Sequence, residues 1–376
     1  TSSAWTYDET TAQWYLHLFS GKQPDLNWEN PELRQEIYGM MNRWLDRGAD
    51  GFRMDVISLL AKDPQLPDGT GSGYMFSPKY FAFQPKLHDY LREMRRACFD
   101  GRDCMCVGET SFVTTQNAGS VVDDGRELDM LFQFDVMDMD SGETKWDARP
   151  FDLMRFKQII SAWQTAIGWN TLFWGNHDQP RLVSRFGCTR TETLRRRSAT
   201  CLATAMYLLR GTPFLYQGEE IGMTNCPFPD ISELRDVESL NLLRQAAGSS
   251  RMDWAWRGVR SKGRDNARTP CSGMRRPMEA LRMEHRGSWS IQIRGKSMWL
   301  RPSATRTRCC IITGRCLLCA ESGMFCGMVI FRCCFTSTRR YLPMRGLLRD
   351  SKYESIAILQ TGMPRCRKPC VKGRCF

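Results

Sequence analysis

The chain has 376 residues, 42% of them apolar and 25% charged, enough for one large barrel or for two or three smaller domains. Its net charge of +12 invites a nucleic-acid partner, yet 21 of the 53 Lys and Arg and only 5 of the 41 Asp and Glu lie from Cys271 onward. The first 270 residues therefore hold 32 basic and 36 acidic side chains and are slightly acidic, which excludes a polyanion-binding reading of the body. Cysteine divides at the same place, with 11 of 17 after Pro270. "CLLC" (Cys316 to Cys319) has the spacing of half a zinc site, but the tail holds one histidine, His285, and no second pair at regular spacing.

The opening "TSSAWTYDETTAQWYLHLF" carries no basic-then-apolar leader, and the best apolar run, "GMFCGMVIF", is far short of the roughly 20 residues a membrane span needs. The expectation is a cytoplasmic protein without a membrane partner, its six body cysteines reduced.

In chain order, residues 30–48 predict a helix. Asn30 serves as N-cap, Pro31 opens the first turn, Leu33, Ile37, Met40, Met41, Trp44 and Leu45 form the apolar stripe, and Gly48 ends it. A strand over 50–57, "DGFRMDVI", follows at once. A helix over 84–99 leads to a strand over 104–109, "CMCVGE", and then to a strand over 130–135, "MLFQFD". A helix over 151–167, a strand over 170–178, a helix over 191–211 and a strand over 212–220 complete the series. Strands alternating with helices of this length indicate an α/β protein with a parallel sheet. No glycine-rich phosphate loop stands at any strand-to-helix turn, so nothing supports a nucleotide-binding sheet.

Charge falls at particular places in this pattern. Asp55, Glu109 and Asp178 each lie at or near the C-terminal end of a different predicted strand, the functional face of a β/α barrel. Arg53 and Asp55, two apart, share a strand face about 7 Å apart. Each has a plainer reading: Asp55 as the partner of Arg53 or as a cap, Glu109 as an acceptor for backbone N–H groups, His177 as a satisfied core imidazole. Taken jointly, carboxylates that converge on one pocket and differ in pKa are what glycoside hydrolysis requires. One stays ionised to attack the anomeric carbon, and the other stays protonated to discharge the leaving oxygen.

"GFRMDVI", "VGE" and "FWGNHDQPR", in this order, resemble the conserved segments of the α-amylase family of retaining glycoside hydrolases. "QPDLNWENPELR", "YQGEEIGMTN" and "SKGRDNARTP" are similar to its oligo-1,6-glucosidase and dextran glucosidase branch. The resemblance implies Asp55 as nucleophile, Glu109 as general acid/base and Asp178 as transition-state stabiliser, with Arg53, His177 and Arg268 binding the non-reducing-end glucose. Val56, directly after the nucleophile, resembles enzymes that prefer α-1,6 linkages. The implied function is a retaining α-glucosidase acting on short α-1,6-linked oligosaccharides, with trehalose-6-phosphate hydrolase as the alternative. From another class, the alternative is an inactive truncated barrel acting only as a binding protein.

The implied fold is a partial (β/α)8 barrel with about five of eight strands. Residues 1–30 would end an inserted domain, residues 31–270 would form the incomplete barrel, and residues 271–376 would be an irregular tail, disordered or translated out of frame after "RDNARTP". The expected partner is an oligosaccharide, the expected state a monomer. No cofactor is required for the chemistry, and a structural calcium ion, where the family has one, belongs to the segment of the family pattern absent here. An isolated barrel lacking its first three strands is expected to be unstable and inactive, since it leaves sheet edges open.

Overall fold

The computed structural model describes residues 3–70 and 77–270, together with the short strands at 330–333, 342–347 and 355–357. The chain divides into two compact units, Thr1–Phe134 with Ala166–Thr171 and Asp135–Thr165 with Leu172–Phe376.

The first unit opens with an antiparallel hairpin of β1 (Trp5–Asp8) and β2 (Gln13–Leu16), in which Trp5 faces Leu16. Helix α1 (Pro31–Asp46) starts as its sequence dictates: the Asn30 side chain accepts the Glu32 N–H at 2.9 Å, satisfying a donor that the first turn leaves open. Gly48, at φ +98°, lies just beyond its end. The buried face differs from the expected stripe. Tyr38, Met41 and Leu45 are buried, whereas Met40 and Trp44 are exposed, because the helix turns a narrower arc inward than the apolar count suggests. Strand β3 (Gly51–Met54) follows, then α2 (Lys86–Met94), which runs into a π-turn at Arg95–Phe99.

Strand β4 (Met105–Glu109), the short helix α3 (Gly119–Val122) and β5 (Met130–Phe132) complete the unit. The sheet order is β3-β4-β5, all parallel, with Arg53 opposite Val107 and Glu109 opposite Phe132. Gly51 is required where β3 meets β4: a Cβ there would lie 2.0 Å from the Met105 carbonyl oxygen. Leu87, Leu91, Met94, Cys106 and Val107 are buried around this sheet, and Cys106 and Val107 occupy both faces of β4, as a covered parallel strand requires.

The second unit contains α4 (Asp135–Asp138), most of α5 (Leu153–Ala166), the end of β6 (Asn170–Leu172), α6 (Leu182–Phe186), α7 (Glu192–Tyr207), β7 (Gly211–Pro213), α8 (Val237–Ala246) and α9 (Met252–Lys262). Thr191 caps α7 by accepting the Leu194 N–H at 3.2 Å, and Asp236 caps α8 by accepting the Ser239 N–H at 3.1 Å. Trp146, Ile221, Met223, Phe228, Leu243 and Val259 form its largest described apolar cluster.

Every expected strand exists, but most are shorter than the apolar runs suggest, ending at Met54, Phe132, Leu172 and Pro213. After Leu172 the chain leaves the ladder, and the Asn176 carboxamide closes a turn by accepting the Asp178 N–H at 2.8 Å. After Pro213, Gly218 at φ +92° opens a 3-10 turn over Glu219–Ile221.

In the tail, β8 (Ile330–Cys333), β9 (Leu342–Leu347) and β10 (Ser355–Ala357) pair antiparallel in the order β10-β9-β8, with Arg332 opposite Arg345. These three short strands lie within the tail that the sequence reads as irregular. Short runs such as Val329–Ile330–Phe331 have strand propensity without any longer periodicity. The disorder expected of the rest of 271–376, and the Cys316 to Cys319 spacing, lie outside the described residues. Among the described residues, no helix is long and apolar enough to cross a membrane, and Cys98, Cys104, Cys106, Cys188 and Cys226 take part in no disulfide.

Candidate active site

In the first unit, Arg53 lies in β3, Asp55 one residue past its end, and Glu109 at the last position of β4. The strand expected to run through Asp55 has therefore already turned, and Asp55 stands in a loop at the C-terminal edge instead of on a pleated face. One guanidinium holds both acids: Arg53 Nη1 donates to Asp55 Oδ1, and Nη2 donates to Glu109 Oε2 at 2.7 Å. The two carboxyls have different surroundings. The Asp55 side chain is 69% exposed and that of Glu109 9%. Burial, reinforced by a hydrogen bond and repulsion from Asp55, pushes Glu109 up to about 7 against the pull of Arg53 and the Val56 N–H.

Val56 contributes through its backbone. Its N–H donates to Glu109 Oε2 at 3.3 Å, and it adopts a left-handed conformation at φ +39°, ψ +38°. A β-branched residue rarely occupies that region, and such strain costs on the order of 1–3 kcal/mol where surrounding contacts enforce it. Those contacts are visible. Ile57, Ser58 and Leu59, directly after Val56, are all buried, and the Ser58 hydroxyl donates to the Ser111 carbonyl at 2.9 Å.

In the second unit, Asp178 accepts from Arg268 Nη2 at 2.5 Å and from Arg264 Nη1 at 3.4 Å, and His177 Nε2 lies 3.3 Å from its other oxygen. Arg268 Nε also donates to the His177 carbonyl at 3.1 Å. Arg264 in turn donates through Nε and Nη2 to Asp236 at 2.9 and 2.6 Å. Burial alone would raise the Asp236 carboxyl, but the Arg264 guanidinium and Ser239 hold it below the usual range.

Two buried arginines fix this frame. Arg181 donates to the Asn266 and Gln217 carbonyls at 3.0 and 2.6 Å and to the Thr269 hydroxyl at 3.2 Å, bracing the segment that carries Arg264 and Arg268. Arg185 donates to Gln179, the neighbour of Asp178, at 2.7 Å, and its Nε donates to Asp140 at 2.8 Å. Asp140 also accepts from the buried Lys262, whose ammonium burial pushes down to about 8.

The structure thus gathers Arg53, Asp55, Val56 and Glu109 in one unit and His177, Asp178 and Arg268 in the other. Arg264 and Asp236 were not foreseen as parts of the site. The one sequence signal for Arg264 was the pair of arginines four residues apart in "GRDNAR", and Asp236 announced only a helix cap.

Residues 1–275 match the family described as alpha amylase, catalytic domain. The chain belongs to the alpha-amylase family. Strands β3 to β7, with the helices between them, are accordingly part of a (β/α)8 barrel. The chain is similar to an oligo-1,6-glucosidase of Parageobacillus thermoglucosidasius, at 49% identity over 278 residues, covering 71% of this chain and 49% of that protein. It is similar to a trehalose-6-phosphate hydrolase of Bacillus subtilis at 46% identity, covering 71% and 48%. A solved structure of trehalose-6-phosphate hydrolase from Bacillus licheniformis superposes with a TM-score of 0.66 at 43% identity, covering 72% of this chain and 49% of that one. The chain spans about half the length of these relatives.

Proposed function

We propose that the protein is a retaining α-glucosidase that releases glucose from the non-reducing ends of short α-1,6-linked oligosaccharides. The observation that carries this reading is the unequal pair of acids on one guanidinium. Asp55, open to solvent and held by Arg53, is suited to attack, and Glu109, buried and pushed up to about 7, is suited to hold a proton near neutrality. Two carboxyls gripped by one guanidinium fit the closer spacing of a retaining pair better than the roughly 6.5–9.5 Å gap of an inverting one, which favours double displacement.

In the first step, an Asp55 oxygen bonds to the anomeric carbon while the glycosidic C–O bond breaks and the Glu109 proton passes to the departing oxygen. In the second, Glu109 takes a proton from water, whose oxygen bonds to the anomeric carbon as the Asp55 ester bond breaks. Asp178 would act as transition-state stabiliser, with His177 and Arg268 as sugar-binding groups, and Val56 would bias the linkage preference. No cofactor enters the chemistry. A monomeric, cytoplasmic protein with an oligosaccharide as its only partner completes the reading. Trehalose-6-phosphate hydrolysis is the second reading, favoured by the similarity to such enzymes in sequence and fold.

The test uses the complete protein that carries this chain. Asp55→Asn is expected to lower kcat by at least about a thousandfold on isomaltose, and on α-glucosyl fluoride, whose departure needs no proton, azide should restore turnover to Glu109→Ala with an α-glucosyl azide product. Undiminished turnover by Asp55→Asn refutes the assignment. Comparison of isomaltose, maltose and trehalose 6-phosphate separates the two readings.

A further inference from the structure

The loop that follows Glu109 carries a feature the reaction has not yet used. Phe112, three residues beyond the acid, is 42% exposed and adopts a left-handed backbone at φ +65°. A large aromatic side chain gains little from either circumstance: the conformation is one glycine adopts freely, and much of the residue remains in water. Its described aromatic neighbour is Phe81, whose ring stands edge-on at 76° with centroids 6.1 Å apart.

This pair is fastened to the turn that carries the nucleophile. Ser58, buried and three residues past Asp55, donates its hydroxyl to the Ser111 carbonyl at 2.9 Å, fixing the residue before Phe112. Its own carbonyl accepts the Phe83 N–H at 3.0 Å, fixing the loop that holds Phe81. The Val56 N–H bond to Glu109 joins the same two loops a second time. These bonds tie the segments that carry Phe112 and Phe81 to the turn that follows Asp55.

A general acid delivers its proton to the oxygen of the leaving group, so what borders the acid borders the leaving sugar. We propose that Phe112, backed by Phe81, is the surface against which the neutral leaving sugar packs, making it a specificity-determining residue of the site; this rests on the glucosidase reading above. An aromatic face offers the C–H side of a pyranose ring a dry contact and offers a phosphate nothing. The residue thus selects unphosphorylated leaving groups.

The test compares isomaltose with α-glucosyl fluoride, which has the same glucosyl group and no leaving sugar, in the complete protein and its Phe112→Gly and Phe112→Tyr variants. Phe112→Gly suits the left-handed backbone and should fold with an unchanged or higher Tm. It is expected to lose roughly tenfold in kcat/KM on isomaltose and less than about twofold on the fluoride, with Phe112→Tyr recovering most of the isomaltose rate. Equal losses on both substrates, a lowered Tm with parallel losses, or an undiminished isomaltose rate would each overturn the proposal. A parent protein inert to both substrates would instead overturn the glucosidase reading, and this one with it.

Discussion

Glu109 illustrates how one residue acquires a working pKa. Its position at the end of a covered strand removes water, and Asp55 adds repulsion, while Arg53 and the Val56 N–H keep the shift from growing further. The protonated form is the active one, so kcat/KM should be sustained below about 7 and fall as pH rises through that value. On α-glucosyl fluoride, whose leaving group needs no proton, this alkaline limb should be lost with Glu109 intact, as a pH–rate profile would show. The same shift favours the folded state at low pH. The native carboxyl holds its proton more tightly than the unfolded one, and that contribution is full below the ordinary glutamate range and lost as pH climbs through about 7. Asp55 and Glu109 lie near the strand ends expected from sequence, one residue past β3 and at the last position of β4, whereas Asp178 lies six residues beyond β6. The left-handed backbone of Val56 was not legible in the sequence, because nothing in valine's preferences points there; only the burial of Ile57, Ser58 and Leu59 explains it.

Among elements, helix α1 was the most readable, since Asn30, Pro31 and Gly48 are local signals that act without tertiary help. Its buried face was read less well, for exposure of Met40 and Trp44 depends on neighbours that sequence does not name. Strand ends were harder still. A run such as "NTLFWGNHD" stays apolar well past Leu172, and it leaves the ladder because Asn176 closes a turn and Arg181 and Arg185 pull the following loop into a polar frame. Those arginines suggest a test at this scale. Arg181→Lys replaces a planar donor that reaches the Asn266, Gln217 and Thr269 oxygens at once with one that cannot, and leaves buried carbonyls unmet. A loss of about 2–3 kcal/mol in denaturant unfolding is expected, with KM raised more than kcat is lowered, because Arg264 and Arg268 flank Asp178 on the segment it braces. An unaltered unfolding midpoint would count against the bracing role.

Across the whole molecule, composition changes where the family match stops. Residues 1–275 carry the alpha-amylase pattern, while the segment from Cys271 holds 21 basic and 5 acidic residues and 11 of the 17 cysteines. A tail read out of frame accounts for such a shift, since a displaced codon register discards selection on charge and periodicity together. Sequencing the gene across the Pro270 codon should reveal an insertion or deletion there. An uninterrupted frame encoding this tail would dismiss the idea, and the tail would then need a folding role of its own.

Arg53's double grip has a consequence for the second half of the reaction. In the proposed reaction Asp55 becomes a neutral ester, so its share of the upward shift on Glu109 disappears while that of burial remains, and the guanidinium is left with a single anionic claimant. Glu109 would then give up its proton more readily and stand ionised, the form required to take a proton from water. The same side chain can donate and later accept without either loop rearranging, its alternation driven by whether its neighbour carries a sugar.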